Sequence, residues 1–236
     1  MATLTLPTKD RTMAPYTTGA PLDFAALTSA DRPEFNRVAF AAAHVVADPL
    51  ADNDPWLTPA IDWDRTIAFR EHLWDLGLGV AEAMDTAQRG MGLGWPEAQE
   101  LIRRSLAAAK ARGGALVACG AGTDHLAPSP TVTLDDVIHA YREQIAFVEG
   151  EGGRIILMAS RALANAANGP HDYATVYDTI LSEVSEPVIL HWLGEMFDPA
   201  LDGYWGHHDA TRARSVAAKA LPSRVTAVMG RSFSWS

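Results

Sequence analysis

The chain has 236 residues, 48% of them hydrophobic and 20% charged, with a formal net charge of −10. That length suits one large α/β domain with a sizeable core, while the acidic balance argues against a nucleic-acid surface and no apolar run is long enough to span a bilayer. The opening MATLTLPTKDRTM lacks the apolar centre of a secretory signal, and the single cysteine, Cys119, rules out an internal disulfide and fits a reducing compartment, so the cytoplasm is the expected location.

Residues 1–36, rich in Pro, Thr and Ala, read as an N-terminal extension, with TLTLPT a short strand. From Arg37 the pattern becomes regular. RVAFAAAHVVAD reads as a strand ending near His44, and a loop with Pro49, Pro55 and Pro59 follows. IDWDRTIAFREHLWDLGLG reads as a helix, with Asp62 or Asp64 as N-cap and Gly77 as its stop. A second strand in GVAEAMDTAQRG ends near Asp85, and a helix with Pro96 in its first turn follows. A third strand, ALVACGAGTDH, ends near Asp124 and His125, and Thr133 with Asp136 opens the next helix as a capping box. RIILMASRALA reads as the fourth strand and DYATVYDTILSEVS as the fourth helix. The fifth strand is EPVILHWLG, Glu186 to Gly194, an unbroken apolar run of the kind buried on both faces of a parallel sheet.

Strand followed by helix, repeated with short connections, implies right-handed βαβ units and a parallel sheet. No GxGxxG follows the first strand, and the glycine-rich Gly90 to Gly94 lacks the lysine of a P-loop, so a nucleotide-binding fold has no phosphate fingerprint. The expected fold class is therefore α/β, of the (β/α)8 TIM-barrel type, with five to six βα units in this chain.

In such a fold, ligands bind at the C-terminal ends of the strands. His191 falls there, and an imidazole does acid–base work near neutral pH. Glu82 lies inside its strand, facing the barrel or paired. Arg89 and Arg161 follow the second and fourth strands, where a planar guanidinium suits a carboxylate or phosphate, and Trp192 is a candidate for lining a ligand. His44, Asp85, Asp124 and His191 also fall at strand ends. Converging there, they would form a divalent-metal site of the isomerase or aldolase kind, although the spacing is no compact metal motif.

These segments resemble the dihydrodipicolinate synthase / N-acetylneuraminate lyase superfamily over roughly Arg37 to His208. IDWDRTIAFREHLWDLGLG is similar to that family's first helix, PVILHWLG to its fifth strand and ALVACGAGTD to its third. GVAEAMDTAQRGMGLGWPEAQELI and LHWLGEMFDPALDGYWG resemble an uncharacterised branch of dihydrodipicolinate-synthase-like proteins, filed as a domain of unknown function. The resemblance implies aldol-type cleavage or condensation of a 2-keto acid or sugar-derived compound, no cofactor, and a homo-oligomer. It places His191 where the family has a proton-relaying tyrosine, and Asp85 and Thr86 where it has a Thr-Thr pair. The family's Schiff-base lysine, on the sixth strand, has no counterpart: the lysines are Lys9, Lys110 and Lys219.

After Asp209 the composition changes. Residues 210–236 hold five basic residues and no acidic one, and no strand is evident. The expectation is a chain cut short, with an out-of-frame or unrelated tail; a short basic helix packed on the sheet is the alternative. Three functional readings stand: an aldolase/lyase-like barrel using His191, Asp85 and Thr86, with Arg89, Arg161 and Trp192 on the substrate; a metal-dependent sugar isomerase or aldolase; and an inactive barrel with a binding or structural role.

Overall fold

The computed structural model describes residues 2–20, 37–55, 57–127, 129–195, 197–220 and 225–229. It divides into two units, Met1–Arg37 and Val38–Ser236. In the first, the expected strand TLTLPT forms β1 (Thr3–Pro7), which pairs antiparallel with β2 (Met13–Thr17) in a hairpin, from Thr3 opposite Thr17 to Pro7 opposite Met13. The rest of the expected extension, 21–36, lies outside the described residues.

The second unit is built on six parallel strands in the order they occur in the chain: β3 (Phe40–Ala42), β4 (Gly79–Glu82), β5 (Val117–Ala121), β6 (Arg154–Leu157), β7 (Val188–His191) and β8 (Val225–Met229). Between them run α1 (Trp63–Asp75), α2 (Trp95–Ala111), α3 (Leu134–Gly150), the short α4 (Arg161–Ala166), α5 (Pro170–Glu183) and α6 (Ala210–Ala220). The expected caps form. Asp62 accepts from the Arg65 N–H, and Thr133 and Asp136 close a reciprocal capping box. Among the described residues no helix is long and apolar enough to cross a membrane.

Alternation along the strands sorts the side chains into two layers. Val80 on β4, Val117, Cys119 and Ala121 on β5, Ile155 and Leu157 on β6, and Val188 and Leu190 on β7 join the large cluster that the helices cover. Ala81, Ala118 and Ile156 point to the opposite, inner face, where they pack with Met84, Met158, Phe40 and Ile189. Each large aliphatic side chain so buried contributes about 1.5–3 kcal/mol. The inner face is tight at Gly120, where an added Cβ would lie 2.8 Å from the Ala83 carbonyl oxygen and 2.8 Å from Met158 Sδ.

Two expectations are corrected. RIILMASRALA is not all strand: β6 ends at Leu157, and Ser160 caps α4, its hydroxyl accepting from the Leu163 N–H. The segment after Asp209 does add a strand. It supplies α6 and then β8, paired in parallel with β7. The β-branched, apolar run VTAV favours a strand, and the surrounding basic residues masked it. Residues 221–224 and 230–236 lie outside the described residues.

Candidate active site at the C-terminal ends of the strands

Period-two alternation fixes where the strand-end groups point. On β7, Ile189 faces inward, so His191, two residues on, shares that face, while Trp192 packs, partly buried, against the helix-side cluster. On β4, Glu82 faces the helices. Its carboxylate takes the Arg70 Nε and Nη2 donors at 2.8 Å each, the Ser105 hydroxyl and the Ala83 N–H. Arg70 in turn donates from Nη1 to the His44 and Thr66 carbonyls. Both members of the pair are fully buried, so Glu82 is a structural ion-pair partner of the helix layer.

Past Glu82 the backbone turns sharply. Ala83 sits at φ 53°, in the left-handed region that side chains other than glycine rarely adopt. That turn, with the short 3-10 segment Asp85–Ala87, carries Asp85 across to the inner mouth. There its Oδ2 lies 3.7 Å from His191 Nδ1. This is just beyond hydrogen-bond range, and His191 Nδ1 is buried without a hydrogen-bond partner among the described residues. Burial holds the His191 pKa below the ordinary imidazole value, against the opposing pull of Asp85.

Asp85 also lines a cavity of about 110 Å³, together with Arg89, Thr123, Asp124, Arg161 and Asp198. Arg161, at the start of α4, donates from Nε to Asp198 at 2.6 Å and is half exposed. Its Nη1 and Nη2 groups make no hydrogen bond among the described residues, so they can receive an anion. Arg89 is differently placed. Its donors go to Asp124 twice, to the Ala83 and Gly120 carbonyls, and to Gln144, and its guanidinium lies 4.9 Å from the centre of the Trp95 ring. Those bonds occupy a guanidinium's five N–H groups, leaving none for a substrate carboxylate. Burial pushes the Asp124 pKa up, but the charge and hydrogen bonds of Arg89, with Gln144, outweigh it and hold the carboxyl below its ordinary value. Arg89, Asp124 and Gln144 thus brace the loops after β4 and β5.

The remaining predicted residues stand apart. Thr86 is exposed and makes no hydrogen bond among the described residues. His44 stacks on Phe69 with ring centres 4.7 Å apart. His44, Asp85, Asp124 and His191 do not gather their ligand atoms as a metal site would. Among the described residues the group that does so, within 4.8 Å, is the exposed trio Glu195, Asp202 and His208. Thr123 and Ser160, past the ends of β5 and β6, are two of the buried polar residues that sequence reasoning passed over. The Thr123 hydroxyl lies 2.6 Å from that of Ser160, and only their position just past two strand ends hinted at them.

Parallel βα units in chain order, with polar groups gathered at the strand ends, have the fold of part of a (β/α) barrel. The chain belongs to the family described as Protein of unknown function (DUF993), whose model matches residues 4–234. That match takes in most of the residues after Asp209. Similar solved structures include a putative dihydrodipicolinate synthase family protein from Coccidioides immitis, 17% identical with a TM-score of 0.54, covering 79% of this chain and 50% of that one. Another is dihydrodipicolinate synthase from Oceanobacillus iheyensis, 16% identical with a TM-score of 0.51, covering 88% and 64%. A third is a putative dihydrodipicolinate synthetase from Pseudomonas aeruginosa, 15% identical with a TM-score of 0.51, covering 81% and 55%. This chain therefore spans between half and two thirds of each of these three structures. No curated protein matches.

Proposed function

We propose that this protein is a lyase-like barrel protein that moves a proton beside the carbonyl group of a small 2-keto acid or sugar-derived compound, the step on which C–C cleavage or condensation depends. The observation that carries this reading is the unpartnered, buried Nδ1 of His191 beside Asp85, next to a cavity into which Arg161 brings unspent donors. When a ligand fills the cavity, Asp85 closes the last fraction of an ångström onto Nδ1. A carboxylate on Nδ1 fixes the tautomer and leaves Nε2 as the base. Arg161 holds the substrate carboxylate.

The reading does not run through a Schiff base. The sixth strand, β8, contains no lysine: Lys9 lies in the turn of the hairpin, Lys110 is exposed on α2, and Lys219 belongs to α6, before that strand. Nor does it call for a cofactor, since the His191 and Asp85 pair does the proton transfer itself. The test is deuterium uptake into the methyl group of pyruvate in D2O, followed by proton NMR. Exchange well above the buffer rate, lost in His191→Ala, supports the proposal. Pyruvate that binds without exchanging refutes it and favours a barrel with a binding role alone.

A further inference from the structure

Proton removal beside a carbonyl puts negative charge on the carbonyl oxygen, and a site without a Schiff-base lysine must stabilise that charge by hydrogen bonding. We infer that Thr123 supplies this donor: its hydroxyl donates to the developing oxyanion of the substrate while His191 takes the proton. The inference rests on the proton-transfer reading above and adds the group that completes it.

Thr123 follows β5, lines the same cavity as Asp85 and Arg161, and is only 4% exposed. Its Oγ1 lies 2.6 Å from Ser160 Oγ. Ser160 Oγ already accepts the Leu163 N–H at 2.9 Å. When Ser160 donates to Thr123, the Thr123 proton is left for the cavity. Ser160 is itself held from behind. Its backbone N–H donates to the Tyr204 hydroxyl at 3.0 Å, and Tyr204 lies 3.1 Å from the Tyr177 hydroxyl. Tyr141, packed beside Tyr177, donates to the Met158 carbonyl at 2.6 Å. Burial keeps all three tyrosines protonated far above neutral pH. A donor held in place by its neighbours needs no reorganisation when charge develops, which is the condition under which such a hydrogen bond accelerates a reaction. The electron count closes. The C–H pair moves into the C–C bond, the carbonyl π pair moves to oxygen, and the proton resides on His191 until it returns.

The experiment measures pyruvate deuterium exchange and pyruvate affinity in the wild type and in Thr123→Val, Thr123→Ala and Thr123→Ser. Losing one oxyanion donor costs about 10²–10³-fold in rate. Thr123→Val is therefore expected to exchange more slowly by that factor, with pyruvate affinity within about threefold of wild type, so that the loss falls on turnover and not on binding. Thr123→Ala and Thr123→Ser share the same lost methyl group and differ by one oxygen. Their rates should differ by a similar factor, and this comparison carries the test if the valine variant does not fold. Thr123→Val exchanging at the wild-type rate, or serine and alanine variants exchanging equally, overturns the role of Thr123 while leaving the His191 reading intact. A wild-type protein that exchanges nothing overturns both.

Discussion

Removing the carboxylate of Glu82 should be among the most destabilising single changes in this fold. Glu82 and Arg70 are both fully buried between the sheet and the helices. In Glu82→Ala, Arg70 keeps its bonds to the His44 and Thr66 carbonyls but loses the acceptor for Nε and Nη2, and its charge stays in the core. The Ser105 hydroxyl and the Ala83 N–H lose their acceptor as well. Breaking a buried pair from one side costs about 3–5 kcal/mol, about a fifth or more of the roughly 5–15 kcal/mol that holds a typical domain folded. With a urea slope of about 2 kcal/mol per molar, the midpoint should fall by roughly 1.5–2.5 M. Urea is the right denaturant because it leaves the ionic strength unchanged. The double variant Arg70→Met, Glu82→Leu removes both charges, and should recover most of the loss because well-packed apolar groups replace a buried pair at little net cost. A loss under about 1 kcal/mol in Glu82→Ala at unchanged slope, or a double variant as unstable as the single one, would refute this account of the pair.

Further outcomes concern His191, Asp85, Arg161 and the chemistry of the site. Because burial holds His191 below the ordinary imidazole value of 6.5 in the free protein, pyruvate exchange measured well below saturation should be flat near neutral pH and fall only on the acid side. Asp85→Asn, which removes the opposing carboxylate, should move the inflection lower still, and an inflection above 6.5 in the wild type contradicts the assignment. The same shift makes the unfolded chain bind the proton more tightly than the folded one, so stability should decline as pH falls through 6.5 and below. Arg161→Gln should weaken pyruvate binding by about 10–100-fold in a calorimetric titration, as expected for a charged hydrogen-bonded contact, with little change in turnover; unchanged affinity would remove Arg161 from the site. Finally, borohydride added with pyruvate should leave the intact mass of the protein unchanged, and the metal content of His191→Ala should equal that of the wild type. A reduced adduct would restore a lysine mechanism, and a stoichiometric metal lost with His191 would establish the metal-dependent reading.

The repeating βα pattern was legible because each strand of the parallel sheet is a short apolar run and each helix carries its own start signal, as at Asp62 and Thr133. His191 was legible because VILH ends a strand, and a strand end in this fold is a mouth. What single residues could not disclose was direction. Arg89 and Arg161 look alike in sequence, each following a strand. One is buried with its donors spent on carbonyls, Asp124 and Gln144, while the other stands half exposed beside a single carboxylate. Glu82 and Asp85 are three residues apart, yet the left-handed turn at Ala83 sends them to opposite faces. Thr123 was overlooked because a hydroxyl carries no charge pattern, and its partner Ser160 is 37 residues away. β8 was overlooked because its neighbours in the chain are basic, although its strand-forming residues are plain once it pairs with β7.

The six strands lie side by side in the order of the chain, and this bears on how the molecule comes into being. Each new strand finds its hydrogen-bonding partner in the one made just before it, across one crossover of one or two helices. No strand waits for a partner from a distant part of the chain. Loop closures are therefore of similar, moderate length throughout, which keeps their entropic cost low and even. A growing chain can lay down one unit at a time on the edge left by the last, so that position in space follows order of synthesis.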